Sequence, residues 1–236
     1  MSWRVLPPLL WLSALAACNA PSRQPAASAK DSVAPAPVST AAQAPAVLLI
    51  GTSLTAGLGL DPAVAWPALL QHRVDSAGYH FRVINAGVSG ETSGDALHRI
   101  DWLTSQGIPS VVVVETGAND ALRGQSPDSV RANLDAILTR LEALQPRPVL
   151  VVAAMEALPN MGRDYAARFR AVFPAAARAH HAVYLPFLLT GVAGIDSLNQ
   201  ADGIHPNVAG SRIVAANVWR TLRPILDSLS HTTPAR

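Results

Sequence analysis

Five short apolar runs rich in valine recur along the chain, and they constrain its fold more than any other feature. They are Ala46–Ile50, Phe81–Ile84, Val111–Val114, Val149–Val152 and Val183–Leu185. The runs are mostly unbroken and do not alternate between apolar and polar residues, which is typical of strands covered on both faces. The pattern therefore predicts a buried sheet of parallel strands.

Segments with helical spacing separate these runs. They cover residues 62–77, 92–106, 127–145, 163–180 and 206–229. Asp61 and Ser126 each precede a proline and can cap the free amides of a helix start, and His205-Pro206 marks the start of the last helix in the same way. Strands that alternate with helices pair in parallel through right-handed crossovers. We therefore predict an α/β fold, a three-layer α/β/α sandwich with a five-stranded parallel sheet in the flavodoxin-like order 2-1-3-4-5.

Small-residue loops with polar side chains follow the strands, at the sheet edge where ligands bind in such folds. The positions of interest are Ser53, Gly87, Asn119, Asp202 and His205. A serine nucleophile needs a base, which His205 supplies, and a carboxylate that orients this base, which Asp202 supplies. The backbone amides of Ser53 and Gly87 and the side-chain amide of Asn119 are available as donors to an oxyanion. The combination predicts a serine nucleophile site.

These blocks resemble those of the SGNH (GDSL) hydrolase family over about residues 46–226. The segments AWPALL at 65–70, GANDALRG at 117–124 and DGIHPN at 202–207 resemble the multifunctional bacterial thioesterase/arylesterase/lysophospholipase branch. The resemblance implies Ser53 as nucleophile and oxyanion donor, and Gly87 and Asn119 as the other donors. It also implies His205 as base and Asp202 as its orienting acid, with no metal and no organic cofactor.

The chain departs from the family pattern at Thr52, where the family usually has Asp before the nucleophile. In the family this Asp accepts hydrogen bonds from the neighbouring loop backbone. A hydroxyl replaces two carboxylate oxygens here, and charge-assisted hydrogen bonds are roughly twice as strong as neutral ones. We therefore expect Thr52 to support the nucleophile loop less firmly, and an aspartate at this position to raise stability.

The expected function is hydrolysis of carboxylic esters and thioesters, of the arylesterase, acyl thioesterase or lysophospholipase type, through an acyl-enzyme at Ser53. Met155, Leu158 and Pro159 lie in an apolar segment after the fourth strand and are candidates for an acyl groove, although core packing explains these side chains equally well. Two alternatives stay open: a carbohydrate deacetylase on the same fold, and a lipid-anchored binding protein with weakened catalysis. We expect a small acyl or aryl ester as substrate, and a monomer.

The distribution of charge argues against nucleic acid as a partner. Residues 46–230 carry 14 basic and 15 acidic side chains, and the remaining bases lie in the tails. A domain close to neutral lacks the strong positive charge that nucleic-acid binding requires.

The first residues are typical of an export signal. Arg4 is followed by an uncharged stretch to Ala17, which is shorter than the roughly 20 apolar residues that a helix needs to cross a bilayer. The stretch ends in LAAC at 15–18, which resembles the lipobox of bacterial lipoproteins. The resemblance implies a signal peptide over residues 1–17 and a lipid on Cys18. The alternative is an ordinary signal peptide with a chance cysteine.

Asn19 follows the lipobox, and by resemblance this residue favours the outer membrane over the inner one. The expected location is therefore outside the cytoplasm, anchored to the outer membrane and facing the periplasm. Residues 18–45 are rich in Ala, Pro and Ser and are predicted to be a semi-extended tether, because they cannot bury enough apolar surface to order themselves. The hydrolase domain is predicted over 46–230 and a tail over 231–236.

Overall fold

The computed structural model describes residues 44–232, so the predicted signal segment, Cys18 and most of the predicted tether lie outside the described residues. Strands β1 to β5 are Ala46–Gly51, Arg82–Gly87, Val111–Glu115, Val149–Ala153 and Val183–Leu185. Helices α1 to α7 are Ser53–Ala56, Trp66–Ser76, Ser93–Ser105, Ala118–Leu122, Pro127–Glu142, Arg163–Ala179 and Val208–Thr232. Short 3-10 turns cover Pro62–Val64, Pro159–Met161 and Asp196–Leu198.

The five strands form one parallel sheet in the order β2-β1-β3-β4-β5. This confirms the predicted α/β fold, its five strands and their order. Residues Val111–Val114 of the central strand β3 are almost completely buried, because helices cover both of their faces. Helices α2 and α7 pack against each other, and α5 packs against both α3 and α6. The amino end of the sheet is where β1 and β2 begin, and the carboxyl end carries the loops that follow the strands.

The predicted helix start at Ser126 is confirmed, since Ser126 accepts a hydrogen bond from the Asp128 N–H, whereas Asp61 accepts one from the Ala63 N–H but caps only the 3-10 turn Pro62–Val64. The predicted helix 62–77 is broken at Ala65, which is extended, and α2 starts afresh at Trp66. The break has a simple cause, because Pro67 has no amide hydrogen to continue a helix that began at residue 62.

The prediction that the last helix starts at His205-Pro206 is wrong. Helix α7 begins at Val208, because the Asn207 side-chain oxygen accepts hydrogen bonds from the Ala209 and Gly210 N–H groups and so caps it. At its other end α7 continues to Thr232, two residues into the predicted tail. None of the helices formed by residues 44–232 has both the length and the apolar character needed to cross a bilayer.

Gly87 ends strand β2 directly beneath helix α1. A Cβ atom on Gly87 would lie 2.2 Å from the Ala56 nitrogen and 2.7 Å from the Thr55 carbonyl carbon. Both atoms belong to the backbone, so no side chain can turn away to make room. The close approach of β2 to α1 therefore requires glycine at this position.

We expect Gly87→Ala to lower the free energy of unfolding by about 1–3 kcal/mol, the usual cost of overpacking a tight contact. Gly94→Ala, in helix α3, is the matched control, since its Cβ would lie 3.6 Å from the Asn133 Nδ2 atom, an ordinary contact. Urea unfolding of both variants provides the measurement. Equal stability of the two variants would contradict the requirement for glycine at position 87.

Candidate active site

Three side chains at the carboxyl end of the sheet form a continuous hydrogen-bonded chain. The Ser53 Oγ atom lies 2.8 Å from the His205 Nε2 atom, and the His205 Nδ1 atom lies 2.7 Å from the Asp202 Oδ2 atom. Ser53 is the first residue of α1, whereas the other two lie in the loop before α7. The structure thus brings together the three residues expected to act as nucleophile, base and orienting acid.

The Asp202 carboxylate is held ready for its partner by the backbone of its own loop. Its Oδ1 atom accepts hydrogen bonds from the Ile204 N–H at 2.9 Å and the His205 N–H at 3.0 Å. The N–H of His205, then that of Ile204, then the imidazole lower the pKa of Asp202 to about 2. The carboxylate therefore stays ionised at neutral pH and accepts the Nδ1 hydrogen, which leaves the Nε2 lone pair of a neutral imidazole facing Ser53.

Gln200 forms hydrogen bonds within this loop and to the loop after α1. Its N–H donates to the His205 carbonyl at 2.7 Å, and its Nε2 atom donates to the Leu58 carbonyl at 2.7 Å. Asn199 and Pro206 form an antiparallel bridge that closes the base of the loop. The base is thereby fixed relative to the segment that carries the nucleophile.

A fully buried carboxylate, Glu115 at the end of β3, anchors the nucleophile turn. Its Oε2 atom accepts hydrogen bonds from the Thr52 N–H and the Thr55 hydroxyl, both at 2.8 Å. Its Oε1 atom accepts one from the Thr52 hydroxyl at 2.9 Å. Burial raises the pKa of Glu115, and these donors oppose the rise. Thr52 and Thr55 flank Ser53 in the chain, so one carboxylate holds the turn on both sides of the nucleophile.

This arrangement corrects the expectation that aspartate at position 52 would add stability. Thr52 supports the nucleophile loop as predicted, but it does so as a donor to a carboxylate that β3 already supplies. An aspartate there would bring a second acid against Glu115 in a buried space. The sequence patterns do not single out Glu115, because its partners Thr52 and Thr55 lie far from it in the chain.

The predicted oxyanion donors differ in whether their N–H groups already donate to an acceptor within the protein. Ser53 is the first helical residue of α1, so its N–H has no acceptor within the helix. The Asn119 Nδ2 atom donates to the Glu91 carbonyl at 2.8 Å, which orients the amide and leaves its second hydrogen available. The Gly87 N–H, by contrast, donates to the Asn85 Oδ1 atom at 2.9 Å.

Gly87 is therefore a packing residue under α1, and its predicted role as a free donor is wrong. Three residues further on, Gly90 has a φ of +81°, and its N–H donates to none of the residues 44–232. The Arg123 guanidinium donates to the Gly90 carbonyl at 2.9 Å and fixes the loop there. Gly90 also adjoins Glu91, whose carbonyl holds Asn119, so the second loop offers its free amide at Gly90.

An apolar cavity of about 340 Å³ opens beside the triad. Leu54 and Ile204, the chain neighbours of Ser53 and His205, line it. The candidate groove residues Met155, Leu158 and Pro159 line it as well, together with side chains of α4. A larger groove of about 520 Å³ lies against β2 and α3, but neither the triad residues nor Leu54 and Ile204 line it. The cavity beside the triad is therefore the one that chemistry at Ser53 can use.

The fold and this site define a serine hydrolase with a Ser-His-Asp triad on a three-layer α/β/α sandwich. Residues 49–213 match the GDSL-like Lipase/Acylhydrolase family, and the chain belongs to this family. The family resemblance drawn from the sequence motifs is thus confirmed.

Named relatives extend the comparison. The chain is 40% identical over 185 residues to Esterase TesA of Pseudomonas aeruginosa, covering 78% of this chain and 91% of that protein. It is 36% identical over 187 residues to thioesterase 1/protease 1/lysophospholipase L1 of Escherichia coli strain K12, covering 79% and 88%. The crystal structure of the psychrotrophic esterase EstA from Pseudoalteromonas sp. superposes with a TM-score of 0.73 at 31% identity, covering 77% of this chain and 98% of that one.

We expect Thr52→Asp to lower the free energy of unfolding at neutral pH by about 2 kcal/mol, because two adjacent buried carboxyl groups cannot both ionise. The folded pair keeps a proton that the unfolded chain releases near its ordinary pKa of about 4. The substitution therefore destabilises the protein least at acidic pH, where both carboxyl groups are protonated. The free energy of unfolding of the variant, relative to that of the unsubstituted protein, falls as the pH rises through the raised pKa of the folded pair.

Thermal unfolding of Thr52→Asp at acidic and neutral pH provides the measurement. Thr52→Asn is the matched control, since it has the same shape without the charge and its amide can donate to Glu115. A Thr52→Asp protein as stable as Thr52→Asn at neutral pH would show that Glu115 does not occupy the position described.

Proposed function

We propose that this enzyme hydrolyses carboxylic esters and thioesters through an acyl-enzyme at Ser53. The observation that carries the proposal is the unbroken chain from the Ser53 hydroxyl through His205 to the ionised Asp202. Relatives named as an esterase and as a thioesterase and lysophospholipase support the same chemistry.

The residues divide the reaction among them. His205 Nε2 takes the Ser53 proton as Oγ attacks the acyl carbon, and the tetrahedral oxyanion receives hydrogen bonds from the N–H groups of Ser53 and Gly90 and from Asn119. His205 then returns the proton to the leaving alcohol or thiol. In the second half, His205 takes a proton from a water molecule as its oxygen attacks the acyl carbon, and it returns this proton to Ser53 Oγ as the bond from Oγ to the acyl carbon breaks and the carboxylic acid leaves.

The apolar cavity favours an acyl or aryl ester over an acetylated sugar. Leu54, Leu122, Leu158 and Ile204 line it and offer few polar partners for sugar hydroxyls. This supports the acyl groove inferred for Met155, Leu158 and Pro159 over a carbohydrate deacetylase. The intact triad distances likewise argue against a binding protein that has lost turnover.

We expect Ser53→Ala to lower turnover of p-nitrophenyl esters by about 10⁴- to 10⁶-fold, as for other serine triads, and to abolish labelling by a fluorophosphonate. Ser89→Ala, at an exposed serine of the second loop, should keep both activities and serves as the control. A Ser53→Ala enzyme that retains more than about a tenth of the turnover would rule out the acyl-enzyme. An acyl-length series in the same assay measures the depth of the groove.

We further propose that the chain is exported and anchored to the outer membrane through a lipid on Cys18, with the domain facing the periplasm as a monomer. The support is the lipobox-like LAAC, the only cysteine of the chain within it, and the tether-like composition that follows. A single acyl chain gives marginal membrane binding, so stable attachment needs the several chains that a lipoprotein cysteine carries.

We expect Cys18→Ala to move the protein from the membrane to the soluble fraction or to block its processing. Asn19→Asp provides a control that keeps the lipid, and by resemblance it should shift the protein from the outer to the inner membrane. Fractionation on a density gradient measures both. A Cys18→Ala protein that still sediments with the outer membrane would refute the lipid anchor, and gel filtration in detergent tests the monomer.

A further inference from the structure

Paired and unpaired arginines are distributed unevenly over the described residues. All six arginine ion pairs within residues 44–232 are made by α3, α5, α6 and the loops beside them; the arginines are Arg99, Arg131, Arg140, Arg147, Arg168 and Arg170. The arginines of α2 and α7 are Arg73, Arg212, Arg220 and Arg223, and none of them pairs with a carboxylate of residues 44–232. With four arginines against the two acids Asp75 and Asp227, the α2/α7 layer carries an excess of two positive charges.

Both carboxylates of this layer accept hydrogen bonds from uncharged side chains. The Asp75 Oδ1 atom accepts a hydrogen bond from the Gln71 Nε2 atom at 2.7 Å, and Asp227 accepts one from the Tyr79 hydroxyl. Tyr79 also packs edge-on against Trp219, with ring centroids 6.0 Å apart, so the aromatic pair is fixed in place. Arg223 also hydrogen-bonds to the Tyr79 side chain, whereas Arg73 and Arg212 are exposed to solvent.

Three of these arginines share one groove between α2 and α7, with a volume of about 630 Å³. We call it the arginine groove; its lining includes His72, Arg73, Tyr79, Arg212, Trp219 and Arg223. Arg73, Arg212 and Arg223 are exposed, while the two aromatic side chains are half-buried and form its wall. Guanidinium groups match phosphate oxygens through paired hydrogen bonds, so a concave surface of this kind suits phosphate groups.

The position of the groove relative to the amino-terminal chain favours lipid headgroups as the source of the phosphate. Tyr79 lies three residues before β2, and β2 begins beside Ala46, the residue at which the amino-terminal chain enters the sheet. The groove thus runs along the α2/α7 layer, from Arg212 near the start of α7 to Tyr79, close to the point where the amino-terminal chain enters the sheet. The tether predicted from composition over Asn19–Pro45 has 27 residues; at about 3 Å per residue it would reach about 80 Å, too far to orient the domain by itself.

We propose that the arginine groove binds the phosphate headgroups of an anionic membrane surface and holds the domain with its α2/α7 face toward the lipid. The direction in which the domain is held rests on the proposed anchoring at Cys18. The affinity for anionic lipid does not, because it arises from the groove alone. Basic residues near an anionic membrane surface each add to attraction, and several act together.

The test uses the full chain carrying Cys18→Ser, so that no lipid can be attached and the proposed anchor plays no part. Sedimentation with phosphatidylcholine vesicles, with and without phosphatidylglycerol, measures the part of binding that depends on anionic lipid. We expect Arg73→Gln/Arg212→Gln/Arg223→Gln to lower that part of the affinity about 100-fold, the sum expected for three basic residues near the surface. Both the binding and the loss should shrink at high salt.

The matched control is Arg82→Gln/Arg163→Gln/Arg178→Gln, which removes the same charge from three other arginines outside any ion pair of residues 44–232. It should keep most of the affinity, and p-nitrophenyl ester turnover should be unchanged in both variants, which confirms their folding. Equal losses in the two variants, or binding that ignores phosphatidylglycerol, would overturn the proposal. Binding of inorganic phosphate that the Arg73/Arg212/Arg223 variant loses, without any dependence of vesicle binding on phosphatidylglycerol, would assign the groove to free phosphate and overturn the proposal as well.

Discussion

The buried carboxylate of Glu115 is the interaction on which the site depends. It extends from the central strand β3 to the turn that begins α1. There it accepts hydrogen bonds from two hydroxyls and one backbone N–H of the residues that flank Ser53. A buried acid without donors is costly, so the three donors and the acid stabilise one another only in this geometry. The nucleophile is thereby fixed to the most buried strand of the sheet, and other parts of the site are placed relative to it.

The loops that follow β2 and β3 are positioned against the nucleophile turn mainly by backbone contacts. Gly87 lets β2 pass directly beneath α1, and the Glu91 carbonyl then orients the Asn119 amide. The Glu91 carboxylate in turn pairs with Arg99, whose guanidinium also donates to the Ala86 carbonyl at 2.6 Å. Donors for an oxyanion are useful only when they are held in place before the charge develops. The second and third loops are therefore held in place by the close packing of Gly87 and by hydrogen bonds to the Glu91 and Ala86 carbonyls.

Much of this could be predicted from the sequence. The apolar runs indicated the strands, and the order of Ser53, Asn119, Asp202 and His205 indicated the triad and two of the three oxyanion donors, because these roles depend on residue type and chain order. The roles of Glu115 and Gly90 depend on which partner lies across space: the carboxylate looked like a loop residue, and the Gly87 amide is taken by Asn85 in a local turn. The break at Ala65 was missed because the helical spacing on both sides of it is continuous.

The closed loop from Asn199 to Pro206 carries both the acid and the base. Its bridge and the hydrogen bonds of Gln200 set the Asp202–His205 geometry from within, and one amide ties it to the Leu58 carbonyl. Acid and base thus form one closed structural unit. The segment between β5 and Asn199 lines the acyl cavity with Phe187, Leu189 and Ala193 but lies outside this unit, so a change of sequence there would reshape the cavity wall without moving the acid or the base.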